Sequence, residues 1–437
     1  MANLTRRTFI QAAGGVAAVG LIGAAPRDAA AAKAKVVVLG GGYGGAIAAK
    51  YIRMADPTID VTMIEQDHNY YSCPLSNAVI GGFRDINVQK HSWAKAASKH
   101  GYKVIHDTAT LIDPKKKVVK LAGGKSVPYD RIVVSPGVSY KYGDIEGHSK
   151  KISETVIPHA WKAGPQTVML RKQLEAMKDG GTVIIVPPKN PFRCPPGPYE
   201  RVSLIAYYLK HHKPKSKILI LDPKNKFSKK GLFEGGWKKH YGYGTGKSLM
   251  EWLPADGGGK VVSIQPGSTM GATVVAGDME DEHQGDVVNI IPNQEAGKIA
   301  IDSGLADKSG WCPVDKKTFE SKLHKGVHVI GDASIATKMP KSGYAANSQG
   351  KVVANAVVAM LHGKDPGTAS YVNTCYSFLT PTHGISVAAV YKLKGGVISK
   401  VKGSGGLSPG DASDEFKAQE AQYNESWYGS IMSDMFA

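Results

Sequence analysis

Four cysteines are the residues of this chain best suited to redox chemistry, and their spacing limits what they can do. They are Cys73, Cys194, Cys312 and Cys375. Neither a zinc site nor the Cys-x-x-Cys-His motif of haem attachment has this spacing, so any haem must be carried by another polypeptide. In an oxidising compartment two of them can form a disulfide, while a free thiol acts as a nucleophile or packs in a core.

A glycine-rich turn near the start of the chain predicts a dinucleotide site. Residues 36–39 form an apolar run of strand length, residues 40–45 read Gly-Gly-Gly-Tyr-Gly-Gly, and residues 46–52 favour a helix. Such glycines allow a tight turn and a close approach to a pyrophosphate, which the helix N-terminus then faces. Glu65 ends the next predicted strand, where an acid accepts hydrogen bonds from a ribose, so a dinucleotide is favoured over a chance turn. The motif glycines are Gly40, Gly42 and Gly45.

Two later segments indicate that the dinucleotide is FAD. Residues 329–333 read Val-Ile-Gly-Asp-Ala, which resembles the second FAD motif of glutathione-reductase-like flavoproteins, where the aspartate reaches the ribityl chain. Residues 132–137 read Ile-Val-Val-Ser-Pro-Gly and resemble the middle strand-and-glycine element of those proteins. All three elements occur in that family's order and spacing, so the resemblance implies that the first domain binds FAD. These segments contribute the candidate site residues Ser135, Gly137, Gly331 and Asp332.

The second α/β region lacks the glycine motif that NADH would need. Residues 182–186 form a buried-strand pattern, but the next twelve residues read Pro-Pro-Lys-Asn-Pro-Phe-Arg-Cys-Pro-Pro-Gly-Pro. Prolines have no N–H to donate to a phosphate, and they stiffen the turn. We therefore expect no nicotinamide here, and a cysteine, Cys194, in its place.

The order of the elements predicts an α/β fold with two Rossmann-like dinucleotide-binding domains, as in the glutathione-reductase-like flavoproteins, and a C-terminal α+β interface domain. We expect the FAD-binding domain at residues 33–150 and 298–370, and the second Rossmann-like domain at residues 151–297. Residues 371–437 contain short alternating stretches and Gly/Pro/Ser turns, which favour an antiparallel layer over the active site.

The first 32 residues have the order of an export signal. Thr-Arg-Arg-Thr-Phe-Ile at residues 5–10 precedes an apolar stretch at residues 12–25 and small-residue cleavage sites. The paired arginines are typical of the twin-arginine route, which carries folded proteins and so suits a bulky cofactor. The stretch is short and weakly hydrophobic, so a cleaved signal is favoured over a membrane anchor. We expect a periplasmic protein without stable membrane insertion.

The formal net charge of +18 suits an anionic substrate or an acidic partner. Nucleic acid is the other common partner of a basic chain. The sequence contains no recognition module in which aromatic and basic residues alternate, so we do not expect nucleic-acid binding.

Four segments together resemble a single family. They are residues 71–77 (Tyr-Ser-Cys-Pro-Leu-Ser-Asn), 192–201 (Phe-Arg-Cys-Pro-Pro-Gly-Pro-Tyr-Glu-Arg), 339–344 (Met-Pro-Lys-Ser-Gly-Tyr) and 373–376 (Asn-Thr-Cys-Tyr). They resemble the flavoprotein subunit of flavocytochrome c sulfide dehydrogenase, and the likeness runs from about Lys35 to the C-terminus. The resemblance implies an enzyme that oxidises sulfide through FAD and passes electrons to a c-type haem on a cytochrome subunit, in a heterodimer.

The resemblance also implies roles for the cysteines. Cys73 corresponds to a covalent thioether link to the flavin 8α-methyl, and Cys194 and Cys375 correspond to a redox-active disulfide beside the flavin ring. The alternatives are a purely structural bridge between the last two and simple burial of Cys73. Cys312 has no implied role and is expected to be a packed thiol.

Five further residues are candidates on weaker grounds. Glu200 follows Cys194 closely and is a candidate for proton transfer, with an ion-paired surface carboxylate as the alternative. Lys341, Gly343 and Tyr344 belong to a segment that the family places at the flavin, where Lys341 would favour an anionic substrate. Tyr344 and Trp427 resemble aromatics between flavin and haem, although aromatic residues in such positions commonly serve packing alone.

Two other functions share these features. A sulfide:quinone oxidoreductase has the same fold and disulfide chemistry, but residues 415–437 contain few basic residues and suit an anionic membrane poorly. An accessory flavoprotein that reactivates a sulfur carrier in thiosulfate oxidation would carry the same cysteine motifs. Co-purification with a haem protein separates that function from a sulfide dehydrogenase.

Overall fold

The computed structural model describes residues 33–437, so the predicted export signal at residues 1–32 lies outside the described residues. A first sheet contains five parallel strands. In spatial order they are Val327–Val329, Arg131–Val134, Lys35–Leu39, Asp60–Glu65 and Lys103–His106. Their apolar residues are almost all buried, as expected for parallel strands that are covered on both faces.

Two helices pack closely against each other beside this sheet. Gly45–Ala55 follows the glycine turn, and Gly343–Leu361 crosses it. A Cβ atom at Gly350 would lie 2.6 Å from the carbonyl oxygen of Gly44, so the contact requires glycine. The helix Gly343–Leu361, from late in the chain, is thereby in close contact with the glycine turn near its start.

The second sheet repeats the α/β arrangement with four parallel strands. In spatial order they are Met250–Leu253, Lys217–Leu221, Thr182–Val186 and Val287–Ile290. Along the chain the helix Pro165–Ala176 precedes these strands, and the helices Gly197–His212 and Lys230–Tyr241 connect them. The helix Gly197–His212 begins directly after Pro196 and has Pro198 in its first turn. Proline is tolerated in the first turn of a helix because no N–H is needed there, so these prolines did not end the helix.

The C-terminal region is an antiparallel sheet covered by one long helix. The strands are Ser370–Thr380, His383–Lys394 and Val397–Lys400, and the helix is Asp414–Phe436. The antiparallel layer was expected, whereas this 23-residue helix was not located from the sequence. A Cβ atom at Gly384 would lie 2.4 Å from the backbone nitrogen of Ala421, so strand and helix are in close contact.

Shorter elements connect these layers. The strands are Tyr70–Tyr71, Lys90–His91, Ala109–Asp113, Val118–Leu121, Ser126–Pro128, Val138–Lys141, Val261–Pro266, Ala272–Ala276, Asp281–Gly285 and Asn293–Ala296. The helices are Ser76–Ile80, Ala94–His100, Lys150–Thr155 and Lys298–Asp302, with 3₁₀ turns at Ile86–Gln89, Ala255–Gly257 and Gly331–Ala333. Within residues 33–437, none of the helices has the length and apolar character needed to cross a bilayer.

Candidate active site

A cavity of about 1400 Å³ lies at the carboxyl ends of the strands of the first sheet. This exceeds the roughly 300–1,000 Å³ of ordinary small-molecule pockets, so it has room for a dinucleotide. The predicted site residues that line it are Gly40, Gly42, Glu65, Cys73, Ser135, Gly137, Cys194, Glu200, Gly331, Asp332, Gly343, Tyr344, Cys375 and Trp427. The structure thus brings together residues that are up to several hundred positions apart in the chain.

The glycine turn forms one end of the cavity. Gly40 has a φ of +91°, and a Cβ atom there would lie 2.4 Å from the carbonyl oxygen of Ser135. Gly45 lies behind the lining, where a Cβ atom would come within 1.8 Å of the Gly40 carbonyl oxygen. The Glu65 carboxylate accepts the Gly41 N–H at 2.7 Å and so holds the turn at the edge of the cavity.

Asp332 offers an unused acceptor inside the same cavity. Its Oδ1 atom is buried and has no hydrogen-bond partner among residues 33–437. Burial raises the pKa of this carboxyl, against the opposing charges of Arg193 and Lys341. Buried acceptors in native proteins are normally paired, so a ligand hydroxyl is needed here. The residues of the cavity therefore fit FAD, whose ribityl chain carries such hydroxyls.

Lys341 differs from the prediction because its ammonium group does not line the cavity. The Nζ atom donates to the carbonyl oxygens of Asp332, at 2.6 Å, and Ser334, at 3.1 Å. It also lies 3.6 Å from the centroid of the Trp311 ring. The structure thus does not support direct contact of Lys341 with the cofactor, and instead shows it holding the loop that carries Asp332.

Cys194 and Cys375 meet at the cavity from different elements. Cys194 precedes the helix Gly197–His212 with a φ of 58°, a conformation that non-glycine residues rarely adopt and that is common at functional sites. Its N–H donates to the Lys341 carbonyl oxygen at 2.7 Å. Cys375 lies on the strand Ser370–Thr380, close enough to Cys194 for the two thiols to shift each other's pKa. Both side chains are free thiols in this structure.

The two thiols have unequal acidities. The hydrogen bond from Cys194 lowers the pKa of Cys375 to about 7, assisted by the Lys229 charge and opposed by burial and Glu200. The same hydrogen bond and burial raise the pKa of Cys194 well above its usual value. The two thiols are strongly coupled, so one member of the pair ionises more readily than the other.

Glu200 is buried beside the pair, which excludes the surface alternative. Its side chain is 7% exposed. One carboxylate oxygen accepts the Phe378 N–H and the other accepts the Asn77 amide, each at 2.8 Å. Burial raises the pKa of this carboxyl despite these hydrogen bonds. A carboxyl group of raised pKa next to a thiol pair is suited to proton transfer.

Cys73, Tyr344 and Trp427 occupy other walls of the cavity. The Cys73 Sγ lies 3.6 Å from the Trp161 carbonyl oxygen. The rings of Tyr344 and Trp427 are stacked, with centroids 6.1 Å apart, so they form one aromatic patch at the cavity wall. Cys312 lies apart from the site, fully buried in the core of the first sheet, as expected of a packed thiol.

Three charged residues of the site were not found from the sequence. The Arg193 guanidinium lines the cavity and donates to the carbonyl oxygen of Trp161. Arg201 is 1% exposed and donates only to neutral oxygens. Lys229 is 6% exposed and lies next to Cys375. A signal existed for Arg201, since a cation within an otherwise apolar helix needs a buried partner, but Lys229 carries none in its local sequence.

Family models match most of the described chain. Residues 167–292 match the central domain of the flavocytochrome c sulfide dehydrogenase flavoprotein chain. Residues 367–436 match the flavin-binding domain of flavocytochrome c sulphide dehydrogenase, and residues 34–170 match pyridine nucleotide-disulphide oxidoreductase. Cys194 and Cys375 therefore lie in regions that match sulfide dehydrogenase models.

Several relatives act on sulfide according to their names. The mitochondrial sulfide:quinone oxidoreductase of Dictyostelium discoideum is 24% identical over 78% of this chain and 76% of its own. The mouse enzyme is 22% identical over 71% of this chain and 67% of its own. The sulfide dehydrogenase flavoprotein chain of Chlorobaculum thiosulfatiphilum is 56% identical over 45 residues, which are 10% of this chain and 94% of that one.

Solved structures confirm the predicted two-domain Rossmann-like fold. A sulfide:quinone oxidoreductase from Aquifex aeolicus aligns with a TM-score of 0.67 over 92% of each chain at 18% identity. A ferredoxin reductase from Rhodopseudomonas palustris aligns with a TM-score of 0.63 over 85% of this chain and 91% of its own, at 15% identity. The family models and these relatives together support a sulfide-oxidising flavoprotein that uses FAD, and they include both flavocytochrome c sulfide dehydrogenases and sulfide:quinone oxidoreductases.

Proposed function

We propose that the chain is the FAD-containing subunit of a periplasmic sulfide dehydrogenase that passes its electrons to a c-type cytochrome subunit. The observation that carries this proposal is the meeting of Cys194 and Cys375 at the wall of the FAD-sized cavity. Structural disulfides are usually placed where they close loops, not where they line a cofactor cavity. The match of two segments to sulfide dehydrogenase models supports the choice of acceptor.

The sulfide step begins from the disulfide form of the pair. HS⁻ attacks the Sγ of Cys194, a new S–S bond forms there, the Cys194–Cys375 bond breaks, and its electron pair leaves on the Sγ of Cys375. The products are a Cys194 persulfide and a Cys375 thiolate. The single negative charge of HS⁻ is thus carried by the thiolate after the step.

The residues around the cavity divide the remaining work. The glycine turn and Asp332 would hold the dinucleotide, Cys73 would attach it covalently, and Glu200 would move the proton of the persulfide. FAD, when bound, supplies a two-electron acceptor that releases electrons singly, which suits a one-electron haem partner. The stacked Tyr344 and Trp427 would mark the exit toward that partner.

Sulfide:quinone oxidoreductase is the second candidate, because the relatives that align over most of the chain carry that name. Among residues 33–437 the long C-terminal helix is not a free membrane anchor, since Ile431, Met432 and Met435 are buried against the rest of the protein. A helix packed in this way adds no support for quinone as the electron acceptor.

The test is an anaerobic titration of the purified flavoprotein, followed through the flavin absorbance. We expect sulfide to bleach the flavin and NADH to leave it unchanged, since the turn at residues 187–198 offers prolines where a nicotinamide site needs N–H donors. Steady-state assays with cytochrome c and with a short-chain quinone then identify the acceptor. Bleaching by NADH alone contradicts the proposal. Turnover with quinone alone would identify the protein as a sulfide:quinone oxidoreductase, the second candidate.

A further inference from the structure

Lys229 is a buried cation whose position neither the cofactor nor the proposed sulfide step requires. It precedes the helix Lys230–Tyr241 with a φ of 60°, in the left-handed region that lysine rarely adopts. Its Nζ donates to the Ser377 Oγ at 2.9 Å and to the Cys375 carbonyl oxygen at 3.3 Å. The strained backbone thus directs the ammonium group onto the strand that carries the redox thiol.

This ammonium group has no carboxylate partner within ion-pair distance anywhere in residues 33–437. A buried charge is costly unless an opposite charge lies near it. Arg201 is a second buried cation nearby, and its guanidinium also bonds only to neutral oxygens. Glu200 is the one buried carboxylate beside the thiols, and with Arg201 behind it the buried cations of this region outnumber it. The local charge is balanced when one thiol is ionised.

We propose that Lys229 is a positioning residue that holds Cys375 in its thiolate form, and so directs the transferred sulfur to Cys194. The inference rests on the proposed function, since it specifies which sulfur leaves in the sulfide step. The electron pair of the broken disulfide stays on the Cys375 Sγ, where the Lys229 charge stabilises it, and the new S–S bond stays on Cys194. Without the charge, both sulfurs become comparable leaving groups, and the rate falls.

The titratable groups that face the pair show that Lys229 is its source of positive charge. They are Glu200 from the helix Gly197–His212 and Lys229, which precedes the helix Lys230–Tyr241. Each thiol also faces the other. Tyr43 and Arg201 lie further out. Lys229 is the one group of these that favours the anionic form of both thiols, whereas Glu200 opposes it.

The experiment uses the reduced holoprotein and measures the rate of Cys375 alkylation by iodoacetamide against pH, with the labelled peptide quantified by mass spectrometry. In the unaltered protein we expect a midpoint clearly below the roughly 8.5 of an ordinary thiol. Lys229→Met should raise the midpoint by about one unit or more, because an opposite charge close by has been removed. Lys229→Arg, which keeps the charge, should restore most of the shift.

Lys316→Met is the matched control, because Lys316 is also a partly buried lysine that donates to backbone carbonyls but lies away from the thiols. It should leave the midpoint unchanged. A second measurement adds one equivalent of sulfide to the oxidised protein, blocks thiols, and locates the extra sulfur by mass spectrometry, which we expect on the Cys194 peptide.

The outcomes separate the inference from the proposed function. An ordinary midpoint in the unaltered protein, a midpoint that Lys229→Met does not move, or extra sulfur on Cys375 overturns the inference even if sulfide bleaches the flavin. Failure of sulfide to bleach the flavin overturns the proposed function, while the alkylation profile still measures the effect of Lys229. If Lys229→Met does not fold, the profile of the unaltered protein decides.

Discussion

The turn that follows the strand Lys35–Leu39 contains five glycines in six residues, whereas the turn after Thr182–Val186 contains five prolines before the next helix begins at Gly197. Both turns lie at the carboxyl end of a parallel strand, where α/β proteins bind ligands. The first offers backbone N–H groups and a single side chain, that of Tyr43. The second has few N–H groups and presents the thiol of Cys194. One scaffold thus places a glycine turn suited to a phosphate and a proline turn that carries a thiol at a single cavity.

The largest effect is expected at the second turn. Cys194→Ser removes the sulfur that accepts HS⁻, so the rate of flavin reduction by sulfide should fall by on the order of 10³-fold or more. Stopped-flow absorbance under anaerobic conditions measures it. Cys312→Ser is the control, since Cys312 lies in the core away from the cavity. Equal rates in both variants would show that the second turn does not handle sulfur.

The first turn should fail in a different way. Gly45→Ala places a methyl group 1.8 Å from the Gly40 carbonyl oxygen, so the helix must move off the strand. We expect destabilisation of about 1–3 kcal/mol, typical of overpacking, with loss of bound flavin. Urea denaturation and the flavin-to-protein absorbance ratio measure both.

Gly231→Ala is the matched control for that change, because it also lies in a helix but has no atom within 4 Å of the new methyl group. It should raise stability by about 0.5–1 kcal/mol, since alanine suits a helix better than glycine. If Gly45→Ala retains flavin as well as Gly231→Ala does, the glycine turn is not the cofactor end of the cavity.

The smallest effect is expected on the pH dependence of stability, and it concerns Glu200, the buried acid beside the second turn. Burial raises the folded-state pKa of Glu200 above its unfolded value of about 4.3, despite its hydrogen bonds to Phe378 and Asn77. As pH rises from about 4.3 through the folded-state pKa, the unfolded chain releases its proton first, so stability falls over that window and stays lower above it. Each unit of difference contributes about 1.4 kcal/mol.

Glu200→Gln has no proton to release and should lack that part of the fall. Urea midpoints at pH 4, 6 and 8 compare it with the exposed control Glu282→Gln, which should follow the unaltered protein. Parallel profiles for all three proteins would contradict the raised pKa of Glu200.

The sequence was informative where chemistry and local pattern coincide. The strand Thr182–Val186 was predicted with its observed bounds, and Glu65 ends its strand as expected. Both follow from apolar runs bounded by residues that only a turn accepts. The pairing of Cys194 with Cys375 was implied by resemblance alone, because no local pattern reports a contact between distant segments.

Three features were beyond local reasoning for physical reasons. The helix Asp414–Phe436 buries residues at helical spacing, but Glu420 and Asn424 stand in that stripe, so the apolar period is weak. Lys341 stands in a cofactor segment, yet its long side chain turns back onto carbonyls of its own loop. Lys229 depends on a strand that is about 150 residues further along the chain, as its bond to Ser377 shows. The domain limits and the export signal stay predictions.

The edge strand Val327–Val329 has a consequence for the order of synthesis. It pairs with Arg131–Val134, although almost two hundred residues separate them and the whole second sheet is made in between. A ribosome that has released only the first 326 residues holds four strands of the first sheet, but neither Asp332 nor Cys375 has yet been added. FAD therefore meets a complete site only when nearly the entire polypeptide has been translated. The sheet that begins with the first strand of the chain is completed by a strand from late in the chain.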